Sequence, residues 1–188
     1  MLGFTGAGTV FRAGIISFLW LILTLFDTTS PCLAEEADDG YKLKVAYLYN
    51  FTKFVEWPEA KSIASRFGVC VLGANSFGNL LEPLREQKAL GLPIEILVVT
   101  SPDQADTCHI LFISASEQKR IGSLVKAWAG KGILTVGDTD GYAKSGVAIN
   151  FMFRHSRLRF AINPDAALSN GLRIRSGLLR LAEIVKSP

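Results

Sequence analysis

The chain has 188 residues, three cysteines, two histidines and a formal charge of +3, with its cations and anions scattered rather than striped. That small excess gives no argument for a nucleic-acid partner. No Cys/His spacing of a zinc site occurs. Without repeats, low-complexity tracts or charged tails, the expectation is one globular domain with a real core.

Residues 13–26, AGIISFLWLILTLF, follow a single cation, Arg12, and precede the polar segment DTTSPCLA. The run suits the core of a secretory signal and is too short for a comfortable membrane span. Cleavage after Ala34 would place two small residues, Cys32 and Ala34, at the positions the peptidase reads. Acylation at Cys32 is the weaker reading because Pro31 sits where a small residue is wanted. An uncleaved anchor stays open. The expected organisation is a signal peptide over residues 1–34 and one exported α/β domain over residues 35–188.

After a loose lead-in, AEEADDGYK, five aromatics crowd VAYLYNFTKFVEWP, residues 45–58. At 100° per residue Leu43, Tyr47, Phe51, Phe54 and Trp57 share a face, with Ala46, Leu48 and Val55 on its flanks. Lys42, Tyr49, Thr52, Lys53 and Glu56 fall opposite, so this is a core helix that Pro58 stops. Asn50 lies inside the apolar arc and is expected to tie the helix to a neighbouring backbone. Residues 67–72 read as a buried strand. Ser76 caps an expected helix over residues 77–87, striped by Leu80, Leu81 and Leu84. Strands follow at LPIEILVVT and HILFIS, joined by a polar connector with room for one helical turn. Ser116 caps the next helix, to about Ala129, with Ile121, Leu124, Val125 and Trp128 inward. A fourth strand spans residues 133–136. Residues 147–153 and 157–162 form a hairpin around RHS. Asn163-Pro164 starts a short helix that Asn170-Gly171 ends. A last helix covers residues 176–186. This order predicts a single three-layer α/β/α domain with a mostly parallel sheet and an antiparallel C-terminal hairpin.

The chemistry is sparse. His109 opens an apolar strand, where a core role is the ordinary one, and His155 sits in the hairpin turn. No GxSxG, HExxH or CxxC occurs, and no catalytic, metal or cofactor site is expected. GANSFG, residues 73–78, lacks the pattern of a phosphate loop. Asp138-Thr139-Asp140-Gly141 resembles a calcium loop, but Tyr142 replaces a carboxylate, so a turn is expected. Cys70 and Cys108 each adjoin a strand. In an oxidising compartment they pair, against the alternative of two separate buried thiols; export favours the disulfide. Arg173 and Arg175, two apart in GLRIRSG, share one side of an extended segment and could receive a carboxylate, a phosphate or an acidic surface.

The blocks KVAYLYNFTKFVEWP, VCVLG followed by FG, CHILFIS, ILTVGD, GVAINF and FAINPDAALSNGLRIRSGLLRLAEIV resemble, in order and spacing, the YfiR family from about Lys42 to Val185. The resemblance implies a periplasmic protein without enzymatic activity or cofactor. The best-understood member restrains a membrane-bound diguanylate cyclase by binding its periplasmic sensor domain, and an outer-membrane-associated partner relieves that restraint. Cys70 and Cys108 match cysteine positions of that relative, in which redox state affects stability. A second cysteine pair of the relative, near GVAINF, is missing here.

Two functional classes follow. The first is a protein-binding repressor of a membrane diguanylate cyclase, working in cyclic di-GMP signalling and biofilm control. The second is a small-molecule sensor feeding a membrane kinase or transporter. An exposed apolar patch with an arginine rim would favour the first, and a closed aromatic pocket the second. The expected partner surface joins Phe151 and Phe153 of the hairpin, Arg173 and Arg175, and Tyr49 and Lys53 on the polar side of the first helix. No nucleic-acid partner is expected, and a homodimer is left open.

Overall fold

A computed structural model gives the arrangement of residues 32–155 and 157–186, without the side chains of residues 32–38, 60 and 62. The expected leader falls, up to residue 31, outside the described residues. Asp38–Pro188 forms one compact unit.

The chain is helical from Cys32, where a loose lead-in was expected. Helix α1 spans Cys32–Phe54. Its buried face centres on Lys44, Val45, Leu48, Phe51 and Thr52. Tyr47 flanks this face, while Leu43 is 46% exposed. Asn50 consequently faces solvent and, among the described residues, accepts only a 3.3 Å bond from Lys53, a contact within the helix itself. The helix also ends before Pro58. Strand β1 (Val55–Glu56) leaves it to pair with a later segment, and the Arg175 N–H donates to the Phe54 carbonyl at 2.9 Å. A distant strand thus competes for the last turn, and the helical period cannot show that.

A short α2 (Glu59–Ser62) leads to β2 (Phe67–Leu72). The expected helix over residues 77–87 is instead a run of turns closed by a 3-10 segment, Glu82–Glu86. Asn75 Oδ1 accepts the Phe77 N–H at 3.0 Å, an Asx turn that competes with helix, and Pro83 withholds a donor. Leu81 and Leu84 are still buried, because apolar demand outlives the change of local form. Strands β3 (Lys88–Ala89) and β4 (Leu92–Val99), a 3-10 turn at Pro102–Thr107 and β5 (Cys108–Ile113) follow. Ser114, rather than Ser116, caps the next segment, accepting from the Ser116 N–H at 3.2 Å. That segment starts as a 3-10 turn and becomes α3 (Ile121–Ala127). Then come β6 (Leu134–Gly137), β7 (Ile149–Arg154), β8 (Arg157–Ile162) and α4 (Pro164–Ser169). Strand β9 (Arg173–Ile174) receives β1 antiparallel, Val55 against Ile174. The expected last helix stops early: α5 (Ser176–Leu179) gives way to β10 (Glu183–Ile184). There the Val185 N–H donates to the Ile162 carbonyl at 2.8 Å, so the open edge of the sheet captures the backbone.

The result is a mixed α/β fold with an eight-stranded sheet in the order β10-β8-β7-β6-β5-β2-β4-β3. Only the β3–β4 and β7–β8 pairings within it are antiparallel. All residues of β2, β5 and β6 are buried, as strands covered on both faces must be. Alternate residues enter two cores. Val69, Val71, Ile110 and Phe112 pack with α1, whereas Leu72, Leu111 and Ile113 pack with Ile121, Leu124 and Trp128.

Cys70 and Cys108 form a disulfide across neighbouring strands, with Cα atoms 5.9 Å apart at a sequence separation of 38. Both are fully buried. A loop of that length adds about 4 kcal/mol in the chain-entropy account. Non-reducing peptide mapping is expected to recover Cys70 linked to Cys108, and Cys70→Ala with Cys108→Ala to lose stability on that scale. Asn50→Leu, a surface exchange, is expected to shift stability by no more than about 0.5 kcal/mol; urea denaturation checks both.

Candidate functional site

The lower end of the sheet is organised by one irregularity. Gly68 pairs with Cys108 and Val69 with Ile110, so His109 is the extra residue of a bulge in β5. A bulge strands backbone groups, and side chains take them up. The Gly68 N–H donates to His109 Nδ1 at 3.1 Å. Nε2 must then carry the proton, which it donates to the Lys61 carbonyl at 3.0 Å. The His109 carbonyl accepts from the Trp57 indole at 3.2 Å, and the imidazole stacks on Phe67 at 4.4 Å between centroids. A Cβ at Gly68 would lie 2.6 Å from the Thr107 carbonyl oxygen, so only glycine fits there. Lys61 completes the tie by donating to the carbonyls of Asp106 (2.7 Å) and Cys108 (2.8 Å).

Beside this knot lies a hollow of about 530 Å3, lined by Lys61, Arg66, Glu95, Asp106, His109 and Lys131 among others. Burial holds His109 below its ordinary value, against the opposing pull of the Lys61 carbonyl. Burial likewise lowers the Lys61 ammonium, with Asp106 working the other way. Lys131 and Asp106 pair at 2.7 Å. These charges can hold a small polar molecule, and the imidazole has both nitrogens committed to backbone groups.

The crevice where open α/β sheets hold ligands lies at the other end of the strands, where the chain reverses across the sheet. Here Ser116 and Glu117 fill it. The Ala74 N–H donates to Ser116 Oγ at 3.1 Å, and Glu117 is buried and paired with Arg120. A little further along the sheet Lys44 is 5% exposed. It pairs with Asp138 at 2.6 Å and lies 4.0 Å from the Tyr41 ring centre. This buried pair could have been suspected from the position of Lys44, one turn before Leu48 and two before Phe51. Asp138 gives no such signal, because only the fold brings it to α1.

The six expected surface residues do not gather in one place. Lys53 lies on the outer side of α1 and Tyr49, half-buried, on its flank against the core, with the Lys53 ammonium 4.7 Å from the Tyr49 ring centre. Arg175 joins them: its side chain pairs with Glu56 at 3.0 Å and donates to the Lys53 carbonyl at 3.5 Å. Arg173, opposite Glu56 in the β1–β9 ribbon, is exposed. Phe151 does not belong to this or any surface, for it is 1% exposed and packs on Phe51 at 5.8 Å. Two residues on, Phe153 is 55% exposed. A Cβ at Gly40 would lie 3.5 Å from its ring, which places Phe153 about 20 Å along α1 from the arginines. The surface therefore reduces to Tyr49, Lys53, Arg173 and Arg175, with Glu56 as the residue that sequence reasoning missed. Among the described residues, no group of His, Cys, Asp and Glu could hold a metal ion, and no helix is long and apolar enough to cross a membrane.

The fold is a small α/β domain with a buried disulfide and a charged, aromatic helix end. The chain matches the YfiR/HmsC-like family over residues 41–183 and belongs to that family. Among solved structures it resembles a conserved domain protein from Vibrio cholerae, with a TM-score of 0.57 and 13% identity. That match covers 78% of this chain and 60% of the other, so the chain spans under two thirds of its relative, and the likeness concerns the fold alone. An ABC domain from Streptococcus pneumonia, solved in complex with L-Trp, matches at a TM-score of 0.44 and 12% identity. It covers 63% of this chain and 55% of the other, a similarity too low to carry an argument.

The His109 knot has a pH signature. Because the folded value lies below 6.5, the unfolded chain binds more protons between the two values, and stability rises with pH there. The contribution is complete above about 6.5 and is lost as pH falls through the lowered folded value. Urea midpoints of the wild type are therefore expected to drop on acidification more steeply than those of His109→Gln, the two curves running parallel above neutrality.

Proposed function

We propose that the protein is a non-enzymatic periplasmic regulator that restrains a membrane-bound diguanylate cyclase by binding its periplasmic sensor domain, with an outer-membrane-associated partner releasing it. Membership of the YfiR/HmsC-like family over residues 41–183 carries this reading. A disulfide buried between adjacent strands suits an oxidising compartment, and the apolar run at residues 13–26 suits export. The docking face is the end of α1 with the β1–β9 ribbon: Tyr49 supplies an aromatic, and Lys53 and Arg173 supply unburied charge. Aromatics and arginines are the side chains that most often dominate protein contacts. Arg175 has a supporting role, since its backbone N–H and guanidinium reach the Phe54 and Lys53 carbonyls and so fasten the ribbon to the helix end.

A small-molecule sensor is the second reading, and the hollow beside Lys61 and His109 favours it, being of ligand size. Its lining is charged rather than aromatic, so it would take a polar molecule.

The two arginines are expected to separate in experiment. Arg173→Glu should leave the melting temperature unchanged and raise cellular cyclic di-GMP and surface attachment. Arg175→Glu should also cost stability, on the order of 0.2–1 kcal/mol for an exposed pair. Deleting the gene should raise cyclic di-GMP at least as far as Arg173→Glu does; unchanged cyclic di-GMP on deletion would refute the repressor reading and leave the sensor.

A further inference from the structure

The β7–β8 hairpin has two unlike faces. Register partners Phe151 and Phe160, Phe153 and Leu158, and Ile149 and Ile162 share one, and it is turned towards α1. The alternate partners are Asn150 with Ala161, Met152 with Arg159, and Arg154 with Arg157. The second face therefore collects three arginines around one methionine. All three arginines are exposed. None pairs with a described carboxylate, although Asp140 and Glu183 share a hollow of about 270 Å3 with Arg154. Directly opposed strand residues have Cα atoms about 4.5–5.5 Å apart, and positions two apart on a strand are separated by about 6.6 Å. Like charges at those spacings destabilise a hairpin, unless something negative lies across them.

The outer edge of β8 is also only partly used. Strand β10 pairs with Ala161 and Ile162, and the Ile162 carbonyl accepts from Val185. In an antiparallel pair, backbone groups face the partner strand and the open side alternately. Ile162 faces away from β7, so Phe160 and Leu158 do as well, and among the described residues no strand is paired with them.

We propose that this hairpin docks an extended, acidic segment of another protein. The segment adds to the edge of β8 beside Leu158 and Phe160 and sets carboxylates at alternate positions next to Arg157 and Arg159, with Arg154 behind them. Main-chain hydrogen bonds give such strand addition its affinity, and alternate side chains give its specificity. The planar guanidinium accepts a carboxylate through two parallel bonds. A membrane surface would use the arginines and leave the backbone of Leu158 and Phe160 idle, and a chain of net charge +3 offers no broad cationic field for it. This site lies apart from the Tyr49–Arg173 face and does not depend on the cyclase reading.

A fluorescent peptide of alternating Glu and Val, titrated with the purified protein, tests the proposal. Saturable binding is expected, weakened about tenfold or more in Arg154→Gln with Arg157→Gln and Arg159→Gln, and in Arg159→Gln alone by a smaller factor. Replacing the valines by proline keeps the charge and removes backbone donors, so that peptide should bind at least about tenfold more weakly. In the unmodified protein, the amides of Leu158 and Phe160 should gain protection from hydrogen exchange when the Glu-Val peptide is added. Equal binding of the proline peptide, or unchanged affinity in the folded arginine variants, would overturn the proposal. So would preference for vesicles of equal parts phosphatidylcholine and phosphatidylglycerol. Arginines that serve only to repel other sheet edges predict no peptide binding at all, which would also overturn it.

Discussion

Four aromatic rings hold helix α1 against the C-terminal hairpin. Tyr47 and Phe51 meet Phe151 and Phe160 with centroids 5.4 to 6.0 Å apart. Burying each ring removes apolar area worth roughly 1.5–3 kcal/mol from water, and each favourable pair adds about 0.5–1.5 kcal/mol. This contact joins the earliest described element of the chain to its late strands. It also decides what is left for the outside. With Phe51 and Phe151 inward, Lys53 must face away while Tyr49 stays half-buried on the flank, and the arginines of the hairpin must lie on the sheet face opposite α1.

The bulge at His109 does comparable work just beyond the C-terminal end of the same helix. One extra residue in β5 frees the Gly68 N–H, and a neutral imidazole accepts it while holding the Lys61 carbonyl. Trp57 and Lys61 are thereby fixed over the end of the sheet, next to a half-cystine. The disulfide then joins β2 and β5 from within the core. Covalent, polar and aromatic ties converge on a short length of two central strands, which leaves the sheet edges as the parts with unused surface.

Function in such a scaffold has to be argued from its sites, because the fold alone hosts many activities. Two surfaces have the chemistry of protein contacts, the helix end around Tyr49 and Arg173 and the arginine face of the hairpin. They differ in kind. The first is built on a helix end tied to the β1–β9 ribbon by Arg175, and suits a preformed partner surface. The second offers open backbone with matching charge, and suits a partner segment that is extended before it arrives.

Read alone, the residues went far towards the fold. Strand β2 was legible to the residue, since a short, wholly apolar run between polar turns has few other uses, and the hairpin followed from alternation about RHS. The family was legible through Tyr47, Phe51, Trp57 and the blocks after them, and so was the Cys70–Cys108 pairing. Local pattern failed wherever a distant segment outbid it: β1 ends α1 early, and β10 replaces the last turns of the final helix, because open sheet edges supply backbone partners that a helical period cannot foresee. The site failed for the same reason. Spacing placed Phe151 and Phe153 on one face and Asn50 in an apolar arc. Only packing could decide that Phe151 is core, that Asn50 is surface and that Arg175 belongs to Glu56, since which face is buried depends on what the chain brings to it.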